Sequence, residues 1–119
     1  MPTVKQHIKK SQYNESFFED VKDNYQDWAI TGLFYASLHL IEAFLALKGI
    51  HVENHVERSK YFSRIKELKP LYHEYKSLYE YSVNARYKMT PLSLDNINDS
   101  YKLFYEPLKN TIIKLTTPQ

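Results

Sequence analysis

The chain has 119 residues and no cysteine, so it is expected to be one domain, residues 1–119, with neither disulfides nor a thiolate metal centre. Hydrophobic residues make up 43% and charged residues 25%, which excludes intrinsic disorder. A net charge of +2 permits a nucleic-acid partner without demanding one, and only 2 glycines argue against the many turns of an all-β fold.

The N-terminal MPTVKQHIKK is polar, unlike an export signal. Thr3 and Gln6 have capping-box spacing and open a first helix, with Tyr13, Phe17, Phe18 and Val21 as its expected inward stripe. A second helix runs from Asp27 to Gly49, capped by Asn24 or Asp27 and closed by Gly49. It is apolar on nearly every side, which marks a helix buried in the middle of a protein. One stripe differs: Trp28, Gly32, Tyr35, His39, Glu42 and Ala46. Tyr35, His39 and Glu42 interrupt the apolar run, so no membrane span is expected and the cytoplasm is the expected compartment.

Asn54 and Glu57 mark a third helix that reaches about Lys69, with Tyr61, Phe62, Ile65 and Leu68 inward. Pro70 begins a fourth, whose inward residues are Leu71, Tyr75, Leu78, Ser82 and Ala85, and Thr90-Pro91 ends it. Ser93 or Asp95 opens a fifth. Its stripe is Leu94, Ile97, Tyr101, Phe104, Leu108, Ile112 and Leu115, with Pro107 inside it, where a kink is expected. The period is helical throughout and the links are short. The expected fold is all-α, an up-and-down antiparallel bundle of about five helices.

No Gly-rich phosphate loop, nucleophile elbow or His-Glu-x-x-His appears. His51 and His55 straddle a helix start, and no Glu-x-x-His pair recurs on two helices, so no metal site and no cofactor are expected. On the buried second helix, His39 and Glu42 must find partners, and at a spacing of three they can bond each other. Arg86, near the end of a tyrosine-rich helix, can grip a phosphate or pair with Glu42. From Asn54 to Lys69 the third helix carries Arg58, Lys60, Arg64, Lys66 and Lys69 against Glu57 and Glu67. Beside His51 and His55, that basic face is a candidate phosphate contact or simply a solvated surface. The 11 tyrosines suit core-edge packing or base stacking.

The run Leu33-Phe34-Tyr35-Ala36-Ser37-Leu38-His39-Leu40-Ile41-Glu42-Ala43, followed by Gly49 and His55 and later by Ala85-Arg86-Tyr87, resembles the HEPN domain (higher eukaryote and prokaryote nucleotide-binding). The resemblance covers Asp27 to Tyr87. It implies a helical bundle that forms homodimers and takes part in RNA metabolism, host defence or toxin–antitoxin pairs, in some members beside a small nucleotidyltransferase. Taken with the basic third helix, it makes Tyr35, His39, Glu42, His55, Arg58, Arg86 and Tyr87 the candidate nucleotide or RNA contacts, Arg58 from that helix rather than from the resemblance. Many members are metal-independent ribonucleases with an arginine followed four to six residues later by a histidine. Here no histidine follows Arg86, and Ser82 stands where an arginine is usual.

Three expectations follow. The first is a dimer that binds nucleotide or RNA. The second is an endoribonuclease with a rearranged site, His39 or His55 acting as acid or base and Arg86 steadying the phosphorane. The third is a dimerisation module without a ligand.

Overall fold

Side-chain caps and one glycine set most of the helix ends. In the computed structural model, which describes residues 1–89 and 91–118, Thr3 caps α1 (Val4–Val21) in a reciprocal box with Gln6. Asn54 caps α3 (His55–Arg64) by accepting from the Glu57 amide. Ser93, not Asp95, caps α5 (Leu94–Ser100) in a second reciprocal box, with Asn96. The central helix, α2 (Gln26–Leu47), starts without a side-chain cap: Tyr25 holds that position rather than Asn24 or Asp27. It closes on Gly49 at φ +74°, where the Gly49 amide donates to Ala46 and the Ile50 amide to Leu45. That left-handed turn is one only glycine takes without strain.

A short 3₁₀ turn, Lys69–Leu71 with Pro70 inside it, leads into α4 (Tyr72–Tyr87). From α5 the chain passes through a π turn, Tyr101–Tyr105, into α6 (Glu106–Thr116) without a break. Among the described residues the result is an all-α bundle of five rods, the last one widened at its middle.

The rods run up and down around α2. His7 of α1 meets Glu42, Ser11 donates to the Ala36 carbonyl at 2.8 Å, and the Phe17 ring lies over Gly32. On the other side of α2, Arg86 of α4 meets Tyr35, while Tyr75 and Tyr79 pack on Phe34. Ile30, Leu33, Leu40, Ile41, Phe44 and Leu45 of α2 form the centre of the core, with Leu78, Ile97, Leu108 and Ile112 against them. Glu15 of α1 is clamped by Lys109 of α6 at 2.8 and 2.9 Å and by the Tyr101 hydroxyl at 3.2 Å.

Four expectations need correction. The inward face of α1 is polar: His7 and Ser11 are buried with Phe18, whereas Tyr13 and Phe17 are exposed. A side chain at Gly32 would come within 2.8 Å of the Phe17 ring, so the close approach of α1 to α2 fixes this rotation. Second, α3 stops at Arg64 instead of running to Lys69, and Ile65 is extended. No helix breaker lies between Arg64 and Leu68, so packing sets this end, turning Leu68 into the core.

Third, the π turn displaces the stripe of the last rod. A π turn holds more residues than an α turn, so Tyr105 takes the fully buried place and Phe104 sits half-buried at the rim, while Leu94 is exposed. Pro107 directly follows the π turn in this continuous rod, so it cannot donate back into that turn, and the widening falls where the kink was expected. Fourth, α2 is long and apolar enough to cross a membrane by composition, with a mean hydropathy of 1.6, but 72% of that window is buried inside the bundle. The expected stop at Thr90 lies outside the described residues; α4 itself ends at Tyr87.

Candidate functional site

The stripe of α2 singled out by sequence is the part of that helix its neighbours leave open. Trp28 and Tyr35 are exposed, His39, Glu42 and Ala46 are half-buried, and Gly32 is covered by Phe17. Two separate arrangements form along it.

The first is centred on Glu42. Its Oε1 accepts from Arg58 Nη2 at 2.6 Å and Nε at 3.2 Å, a two-point, charge-assisted pair with a guanidinium that is only 6% exposed. Its Oε2 faces two imidazoles, His7 Nδ1 at 3.5 Å and His39 Nδ1 at 3.8 Å, and these two nitrogens lie 3.1 Å apart. Arg58 also reaches the buried Tyr75 hydroxyl at 3.4 Å, which lies 3.4 Å from His55 Nδ1. His55 stacks on Tyr79 with ring centroids 3.7 Å apart. Burial lowers the pKa of all three imidazoles, opposed by Glu42 at His7 and His39 and reinforced by Arg58 at His55. Burial also raises the Tyr75 phenol, which Arg58 partly offsets. The group is therefore neutral imidazoles and a neutral phenol around one ion pair at pH 7.

The second arrangement lies at the other end of α2. Arg86 donates to the Ser82 carbonyl at 3.2 Å and to the Tyr35 hydroxyl at 3.4 Å. Its guanidinium carbon sits 5.9 Å from the Tyr35 ring centre and 5.1 Å from that of Tyr87, within cation–π range. Asp27, Trp28, Thr31, Ala85, Arg86 and Tyr87 line a cavity of about 290 Å³ there. Among the described residues Arg86 has no carboxylate partner.

The expected residues thus divide. His39, Glu42 and Arg58 lie together and Tyr75 joins His55 to them, whereas Tyr35, Arg86 and Tyr87 lie apart. Arg86 is two turns along α4 from Tyr79, on which His55 stacks, so His39, His55 and Arg86 do not meet in one cleft. Glu42 pairs with Arg58, not Arg86, and its oxygen is too far from His39 for a good hydrogen bond. Arg58 belongs to the core rather than to a basic surface because it lies one turn before the buried Phe62. Sequence reasoning missed His7 and read Tyr75 only as an inward core residue. The spacing of His7, Ser11 and Phe18 carries a weak helical signal for His7, hidden by the more apolar Tyr13 and Phe17. His51 and His55, the pair weighed as metal ligands, part company: His51 is exposed and lines a different cavity, with His7 and Glu42.

Comparison of the chain with protein-family models, curated proteins and solved structures finds no match.

Proposed function

We propose that this chain is a HEPN-like helical domain that binds nucleotide or single-stranded RNA across Tyr35, Arg86, Tyr87 and Trp28, and that it acts as a homodimer. The observation that carries the reading is Arg86. It is a permanent cation without a carboxylate partner among the described residues, set between two tyrosine rings beside a cavity walled by a tryptophan. Aromatic faces stack bases of any sequence, and a guanidinium beside them neutralises the connecting phosphate. The Ala85-Arg86-Tyr87 match to the resembling family falls at the same place. A small nucleotidyltransferase partner and a role in defence or toxin–antitoxin pairs belong to this reading through the resemblance alone.

The endoribonuclease reading receives less support. The cation it needs beside a histidine is either locked to Glu42, as Arg58 is, or two turns away, as Arg86 is. A labelled single-stranded oligonucleotide followed by fluorescence anisotropy tests the proposal. Tyr35→Ala should weaken binding by about 1–3 kcal/mol, the usual loss for one stacked base. If the chain binds no oligonucleotide at low salt, or if the Tyr35→Ala, Arg86→Ala double variant binds as well as the parent, the surface has another use.

A further inference from the structure

Three ligand-type atoms converge on the side of Glu42 away from Arg58. His7 Nδ1, His39 Nδ1 and Glu42 Oε2 form a triangle with edges of 3.1, 3.5 and 3.8 Å. A point close to the plane of such a triangle lies about 2.0 Å from all three atoms, the distance at which zinc binds imidazole nitrogen and carboxylate oxygen. As hydrogen bonds two of the three contacts are poor. The two carboxylate distances are at or beyond the usual limit, and only the imidazole pair at 3.1 Å makes an ordinary hydrogen bond, one ring donating to the other.

Two further features fit a bound cation. Arg58 holds Glu42 Oε1 at 2.6 and 3.2 Å, fixing the carboxylate so that Oε2 points at the histidines. Outer partners of this kind orient ligands in metal sites. The cluster also borders a cavity of about 220 Å³ whose lining includes His7, Glu42, His51 and Glu53.

We propose that His7, His39 and Glu42 bind one divalent transition-metal ion, zinc fitting the ligand set best, with a coordination position open to the His51–Glu53 cavity. Two imidazoles and one carboxylate with a free position is the ligand pattern of zinc sites that bind water or substrate directly. The site stands on different residues from the Arg86 surface and does not depend on the nucleotide-binding reading.

The test uses the untagged, chelator-treated chain, titrated with zinc chloride by calorimetry and with Co²⁺ by visible absorption. One ion per chain is expected, with a tetrahedral or five-coordinate cobalt spectrum. His39→Ala, at a position that is only partly buried, should weaken zinc binding by more than the about 10–100-fold that loss of an outer partner costs. Helicity by circular dichroism serves as the folding control. His7→Gln should do the same, and His51→Ala should keep the one-to-one binding if His51 is only a wall of the cavity. Absence of zinc binding by the parent chain, or undiminished one-to-one binding by a folded His7→Gln, His39→Ala double variant, would overturn the proposal.

Discussion

Glu42 and Arg86 show how far single residues can be placed before the fold is known. A carboxylate on a helix that is apolar nearly all round had to be paired, and the structure pairs it. Sequence could not say with which cation, because Arg58 and Arg86 both lie on later helices and only the folded arrangement, which brings Arg58 of α3 to Glu42, decides between them. The two arginines should therefore respond differently to the same change. Arg58→Ala leaves a largely buried carboxylate alone and should lower stability by about 3–5 kcal/mol in a urea titration. Arg86→Ala removes only a half-exposed guanidinium and should leave the melting temperature nearly unchanged. A loss at Arg86 as large as that at Arg58 would mean that its contacts with Tyr35 and Ser82 are structural.

At the scale of elements, most helix starts were legible because a cap is a local event. Thr3, Asn54 and Ser93 each satisfy orphan amides three residues on, whatever the rest of the chain does. The end of α3 and the π turn were not legible, because each is imposed by packing rather than by a breaker. The π turn makes a sharp prediction within one pair of neighbours. Tyr105 is fully buried, and Tyr105→Ala should cost about 3–5 kcal/mol. Phe104, half-buried against His73 and Tyr81, should cost clearly less when truncated. Equal losses in denaturant titrations would show that the helix keeps its α register in solution.

For the molecule as a whole, all-α topology and helix count were readable from periodicity and short links, whereas the dimer rests on the resemblance and not on spare apolar surface along α2. The chain's own helices bury most of the apolar surface of α2, and Tyr13, Phe17 and Trp28 are among the large apolar side chains left exposed on α1 and α2, with Tyr35 and Leu47. A dimer should accordingly be sensitive to Phe17→Glu. Sedimentation of the parent as a 14.2 kDa species at high micromolar concentration would remove the dimer from the account.

Protons also act on the whole fold. His7, His39 and His55 hold their protons less tightly when folded, chiefly because they are buried. The unfolded chain then binds more protons as pH falls through about 6.5, so stability is full above that value and is lost below it. With chelator present, the urea midpoint should be lower at about pH 5.5 than at about pH 7.5, and an unchanged or higher midpoint would contradict burial of these rings.

The contact claimed for Arg86 is tested most directly by the salt dependence of single-stranded RNA binding. Log affinity against log salt should be linear for the parent chain, and Arg86→Ala should flatten the slope by about 0.7, the share of one neutralised phosphate on a single strand. Parallel lines for parent and variant would show that Arg86 does not meet a phosphate and would contradict the account.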